Sequence, residues 1–591
     1  MTVAKRVRGR PPDRSTPRAE PTKRRQPRTL RVLVAFALLF SALGLASYSQ
    51  KSAVWDEPIH IADGYTSLVA RDFRVDPEHP PLLRLWAALP LLGLQVSPFD
   101  VTAIDHATPG IWARTLFSYC ERFLYGDNDG DRLLYRARFM ILVLGVGLGV
   151  LVFFWAREWL GFWPAVVALA CYTIEPNIAA HASLVTTDFG FAAFMFGAVY
   201  FLWRTCRQPT RGNAAAFVAF FVLAVVSKFS AVVLVAVVIV LVGLALVLRM
   251  PIRPRMAVGL VLLTAMASWL AIWGIYGFRY APSSTPGWLY AFQQDAAVRQ
   301  QVPTLAALVG WIDGHRLFPN VFSQGFLFGQ SKTHLRPAFL NGVVSLQGWW
   351  YYFPAAFAMK TPLALELLMG GGLVAIALGW RRLGLENVLF VVVPIALYVG
   401  ATMATRINIG VRHLLPIYPF AMLLIAAAAQ AVLNWRPRAG AIALTAIVAV
   451  GAIEFGHAYP DNLAFFNLLA GGPDGGSAHL VDSNLDWGQD LKPLKRWMDE
   501  NNVPHINLAY FGTAYPPYYG INATMLPGSE FFRPGPSIEL PGYVAISATV
   551  LRGVYLGDQE RAFYRPFLDM TPVATIGHSI FVYWVDHPWW Q

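Results

Sequence analysis

Residues 53–81, AVWDEPIHIADGYTSLVARDFRVDPEHPP, hold six carboxylates, two histidines and a Pro-Pro pair, directly after the first apolar run of the chain. Asp56 and Glu57 stand side by side near its start, and Glu78 and His79 precede Pro80-Pro81. A carboxylate so placed can take a proton from a nucleophile. Asp followed by Glu and Pro is also a common helix start, so an N-cap at Asp56 is the plain alternative. Asp188, in HASLVTTDFGFAAF, lies at the end of a second apolar run, where an ionisable residue is costly and usually functional. Cations in apolar company complete the set: Lys228 in SKFS, Lys360 in FPAAFAMKTP, and Arg406, Arg412 and His413 in RINIGVRHLLPIYPF. Snorkelling explains one such residue; several together suit an anion such as phosphate or pyrophosphate.

The elements that must position these groups are membrane spans. The chain is 56% hydrophobic and only 14% charged, against about a quarter charged in soluble domains. Apolar runs lie at 32–48, 139–155, 162–174, 189–203, 214–226, 229–248, 257–276, 363–380, 388–404, 414–433 and 441–455, giving about eleven spans. The net charge of +12 owes much to a Pro-rich basic segment, residues 1–31, read as a disordered cytoplasmic tail before a retained first helix, so nucleic acid is not an expected partner. With that tail inside, the alternate connections carry Arg157; Arg204, Arg207 and Arg211; Arg249, Arg253 and Arg255; Arg381 and Arg382; and Arg436 and Arg438. This is the positive-inside pattern.

The long connections then face outward: loops over about 49–138 and 277–361, and a region from 457 to 591. Strand-like runs INLAYFG, GYVAISATV and IFVYWVD and a helical QDLKPLKRWMDENN predict a C-terminal extracytoplasmic α/β domain. Cys120, Cys171 and Cys206 are scattered, without disulfide or metal spacing.

The acidic and cationic candidates all fall on the outer face. A carboxylate activating a nucleophile beside cations holding a leaving phosphate would transfer a group from a lipid phosphate. No Walker loop or dinucleotide fingerprint points to a nucleotide. A transporter or flippase for a lipid-linked saccharide is the alternative, but it predicts polar residues through the midplane, and runs such as VVLVAVVIVLVGLALVL are clean.

The order WDEP…H…GY, EHPPL, TTDFGFAAF, YYFPAAFAMKTPL and NIGVRHLLPIYPF resembles the GT-C superfamily of polyprenyl-phosphate-sugar glycosyltransferases, in particular bacterial relatives of protein O-mannosyltransferases and aminoarabinose–lipid A transferases. VDSNLDWGQDLKPLKRWM looks like a C-terminal motif of some bacterial members. The resemblance implies a polytopic α-helical GT-C fold, with residues 32–456 as the catalytic module. It implies inverting transfer from a polyprenyl-phosphate-linked sugar donor to a protein, lipid or glycan acceptor, with neither cofactor nor metal. Asp56, Glu57 and Asp188 would be catalytic; Glu78 and His79 would shape the acceptor or sugar pocket; Lys360, Arg406, Arg412 and His413 would meet the phosphate. The Arg-, Ala-, Gly- and Val-rich composition adds a bacterial inner membrane as the expected location, the outer side being the periplasm. Asp482, Asp486 and Asp490, four apart in DSNLDWGQD, read as a capped surface turn leading into a helix, with a cation-binding loop as the alternative.

Overall fold

A computed structural model of the 591-residue chain describes residues 26–97, 100–105, 112–333, 336–529 and 539–587. Residues 1–25 of the expected tail lie outside these. The remainder of that tail is helical, because the first helix runs Gln26–Tyr48.

Every apolar run falls in a helix. Among the described residues, eight helices are long and apolar enough to cross a membrane by length and composition: Pro27–Tyr48, Gly130–Leu160, Thr187–Arg207, Pro254–Ile275, Leu363–Leu383, Leu385–Met403, Val411–Trp435 and Pro437–Ala458. Shorter apolar helices, Phe162–Thr173, Arg211–Val225 and Ala231–Val247, hold the other runs. Thr187–Arg207 and Val411–Trp435 are buried along almost their whole length and form the centre of the bundle, whereas Pro27–Tyr48, Pro254–Ile275 and Pro437–Ala458 are largely exposed. Small residues set this packing. A Cβ on Gly372 would stand 2.1 Å from the Leu424 carbonyl oxygen, so only glycine lets these helices approach so closely.

Helix Gly130–Leu160 begins well ahead of its apolar run, because the Asp129 side chain caps it by accepting from the Arg132 amide. This shortens the first long connection expected over 49–138. The rigid extension delivers Arg138 to Glu57, with Nε 2.8 Å from Oε1 and Nη2 2.5 Å from Oε2, both side chains fully buried. Glu57 also accepts from the amides of Val54 (2.9 Å) and Val185 (3.0 Å), while Arg138 donates to the carbonyls of Tyr48, Lys51 and Ser52. One ion pair thus ties three chain segments together at one membrane face.

Most carboxylates of the opening stretch are used in the same structural way. Arg84 lies 3.1 Å from Asp63, pairs with Asp76, and donates to the carbonyls of Asp76 and His79. Arg74 forks onto Asp72 at 2.9 and 2.6 Å. Helix Asn320–Ser331, from the second long connection, presses against this loop. A Cβ on Gly325 would lie 2.0 Å from the Pro77 carbonyl oxygen.

The same connection holds a hairpin of β1 (Ala338–Leu340) and β2 (Val343–Ser345). The expected strand runs become β3 (Ile506–Ala509), β5 (Gly542–Ser547) and β7 (Ile580–Val585), joined by β4 (Ala523–Met525) and β6 (Ala574–Ile576) in a sheet of order β4-β3-β5-β7-β6. β3 runs parallel to β4 and β5, while β7 is antiparallel to β5 and β6. The amphipathic helix Leu491–Glu500 buries Leu491, Leu494 and Met498, and Trp497 meets Tyr543 of β5 edge to face.

DSNLDWGQD is not a surface turn. It is buried from Asp482 to Asp490, pressed against the membrane helices. Its three carboxylates diverge: Asp482 takes the Tyr555 hydroxyl, Asp486 the Thr549 amide at 2.8 Å, and Asp490 both Lys51 at 2.5 Å and Ser579 at 2.6 Å.

Glu57→Gln leaves Arg138 as an unpaired buried charge, and the unfolding free energy is expected to fall by about 3–5 kcal/mol. Thermal unfolding in detergent checks this, and Arg138→Met added to Glu57→Gln should recover part of the loss.

Candidate active site

Asp56 occupies the N-cap position of helix Glu57–Val69, but its side chain makes no cap hydrogen bond. Its Oδ2 instead lies 2.9 Å from Nη1 of Arg412, with the Asp56 side chain 25% exposed and that of Arg412 11%. The same Nη1 is 3.4 Å from Oδ2 of Asp188, in the first turn of Thr187–Arg207. The other oxygen of Asp188 takes Lys228, from the turn between Arg211–Val225 and Ala231–Val247. Two carboxylates and two cations alternate in this row, so their charges cancel.

Beneath the row lies an aromatic floor. The Arg412 guanidinium carbon sits 4.2 Å above the Trp487 ring, and His181 meets the same indole edge-on at 6.3 Å. His181 is fully buried with neither ring nitrogen hydrogen-bonded, and burial pushes it down to about 3, so it is neutral.

DSNLDWGQD holds both ends of the Asp56–Arg412 pair. Asn484 accepts from the Val411 amide at 2.8 Å, and Ser483 donates to the Ile409 carbonyl at 2.9 Å, fixing the turn that carries Arg412. The Trp487 carbonyl takes the Trp55 amide and the Gln489 carbonyl takes the Ser52 amide, each at 2.9 Å, fixing the segment that carries Asp56. Trp55 also stacks on Phe511, just beyond β3, at 4.7 Å.

Glu78 and His79 reach this site. Glu78 is exposed, and its carboxyl feels the charges of Asp76, Asp56, Arg336 and Lys332. His79 is half-buried with Nδ1 unpartnered; burial and the Lys228 charge hold its imidazole well below the usual range. His413 follows Arg412 and has a buried, unpartnered Nε2.

Three sequence candidates lie elsewhere. Glu57 is saturated by Arg138 and two amides. The Lys360 ammonium donates to the carbonyls of Leu463 (2.8 Å) and Asn484 (2.5 Å) above the Phe466 ring; it is 1% exposed, so it braces DSNLDWGQD rather than offering its charge to a ligand. Arg406 is exposed at the surface.

The structure adds residues that sequence reasoning passed over. Arg336 feels the charges of Tyr555, Asp482 and Glu78. Asp482 adopts a left-handed backbone (φ 57°), unusual for a residue with a side chain and typical of strained functional positions. The available signal was a pair of cations, Lys332 and Arg336, in SKTHLRPAF on the same side as the other candidates.

No family model matches the chain, and no curated protein matches it. Similar solved structures include ArnT from Cupriavidus metallidurans in the apo state, at TM-score 0.47 and 14% identity over 94% of this chain and 98% of that one. The same protein bound to undecaprenyl phosphate gives a TM-score of 0.36 at 14% identity, over 94% and 97%. The archaeal oligosaccharyltransferase AglB from Archaeoglobus fulgidus, in complex with an inhibitory peptide and a dolichol-phosphate, gives 0.46 at 13% identity over 81% of this chain and 59% of that one. At TM-scores below one half, none of these speaks for the chemistry of this chain.

Desolvation by the protein around it, with the charges of Asp76 and Asp56, pushes the Glu78 carboxyl from 4.5 up to about 7. The folded protein then keeps a proton that the unfolded chain has released, and this contribution to stability is lost as pH rises through about 7. Glu78→Gln should therefore melt higher than the wild type at pH 8 and close to it at pH 5. Equal differences at both values would contradict the assignment.

Proposed function

We propose that the chain transfers a sugar from a polyprenyl-phosphate donor to a hydroxyl or amine of a protein, lipid or glycan, at the extracytoplasmic face of a bacterial inner membrane. The observation that carries this reading is the Asp56 carboxylate: one oxygen held by Arg412, its side chain a quarter exposed, and Glu78 feeling both its charge and that of Arg336. The order of motifs that resembles the GT-C superfamily supports the same reading.

In this mechanism Asp56 is the general base. The acceptor O–H or N–H gives its proton to Asp56 as its heavy atom forms a bond to the anomeric carbon. The carbon–oxygen bond to phosphate breaks in the same step, and its electron pair stays on the phosphate oxygen. Direct displacement inverts the anomeric centre. The phosphate gains a negative charge as it leaves, and a preorganised cation near that oxygen stabilises the transition state more than the ground state. Arg336 suits this role, with Lys332 near it; Arg412 and the Asp188–Lys228 pair hold Asp56 in place. Arg138–Glu57 and Lys360 act at one remove, as positioning groups.

The test uses the full chain in nanodiscs with a panel of radiolabelled polyprenyl-phosphate sugars and membrane extract as the source of acceptors. Label should leave at least one donor, and Arg336→Gln should lower kcat/KM about 10- to 100-fold, the worth of a charge-assisted hydrogen bond. Tight donor binding without label release from any donor would overturn the transferase and favour a flippase.

A further inference from the structure

A second polar recess lies at the far end of the bundle from Asp56. Helix Thr187–Arg207 has Asp188 at one end and Arg207 at the other, and its 21 residues span about 30 Å, the thickness of a bilayer core. Beside Arg207 is a recess of about 220 Å³ lined by Arg207, Arg382, Asn387, Gln430, Trp159 and Glu158. These residues come from near the ends of five apolar helices, two of which, Leu363–Leu383 and Leu385–Met403, meet at the break at Gly384.

The scaffold of the recess is fixed. Trp159 Nε1 donates to the Leu383 carbonyl at 3.0 Å, Asn387 accepts from Trp203 Nε1 at 2.9 Å, and Gln430 donates to the Leu160 carbonyl at 3.0 Å. The one carboxylate in the lining, Glu158, is engaged by Arg204 at 3.6 Å and by the Tyr200 hydroxyl at 3.0 Å. Arg207 lies over the Trp203 ring, and neither it nor Arg382 pairs with a carboxylate among the described residues.

We propose that this recess binds a phosphate group, that of an anionic phospholipid in the leaflet opposite the Asp56 site. Two unopposed guanidiniums match a phosphodiester as forks, and the rigid polar rim sits at the depth of a headgroup with an indole beside it. The recess is separate from the proposed chemistry, and its occupant clamps the helix ends behind the catalytic row.

The test is thermal unfolding of the detergent-purified full chain with added phosphatidylglycerol, phosphatidylcholine or inorganic phosphate. The variants are the wild type, R207Q/R382Q, R207K/R382K and R436Q/R438Q, the last altering a different basic connection. Phosphatidylglycerol should raise the melting temperature of the wild type and of R436Q/R438Q by several degrees, with at least half of that shift lost in R207Q/R382Q. R207K/R382K should respond in between, which shows that the recess is still folded. Protection by inorganic phosphate alone, lost in R207Q/R382Q, would keep the phosphate site and identify its source as the free anion. An undiminished phosphatidylglycerol shift in R207Q/R382Q, or an equal loss in R436Q/R438Q, would overturn the proposal.

Discussion

The guanidinium of Arg412 sits between two carboxylates that arrive from distant parts of the chain, Asp56 after the first span and Asp188 at the head of the central helix. Lys228 closes the row. Isolated charges at this depth would be prohibitively costly, whereas an alternating row of equal numbers is tolerable if its geometry is held. Much of the surrounding structure does that holding. The turn bearing Arg412 is pinned by Ser483 and Asn484, the segment bearing Asp56 by Trp487 and Gln489, and the floor is the Trp487 ring itself.

The C-terminal region is thus part of the site. Its sheet anchors Phe511 and Tyr555, which meet Trp55 and Asp482, while the segment between the last span and the sheet lies against the membrane helices. The strained backbone of Asp482 belongs to this junction, where Tyr555 and Arg336 converge. A reaction that separates charge gains from such a wall, because the dipoles are set before the substrate arrives.

Much of this was legible in the sequence. Length and hydropathy mark the spans, charge asymmetry marks the connections, and Asp188 and Arg412 stand out because ionisable groups at span ends need a reason. Asp56 and Glu57 are neighbours of like chemistry, and no local pattern says which is free; the position of Arg138, on a helix extension set by the Asp129 cap, decides it. Lys360 has the look of a phosphate ligand, but two carbonyls more than 100 residues away claim its protons. The role of DSNLDWGQD was hidden for the same reason. Its partners are long-range, and a polar stretch buried against other polar stretches has no periodicity to betray it.

The most direct measurement of the central claim is single-turnover transfer by Asp56→Asn beside the wild type, with each saturated by a polyprenyl-phosphate sugar that the wild type cleaves. The exchange is isosteric and the side chain is a quarter exposed, so donor affinity and melting temperature should stay close to wild type while the rate of transfer falls at least about 10²-fold. A rate within threefold of wild type, with donor bound equally well, would remove Asp56 from the chemistry and contradict the account.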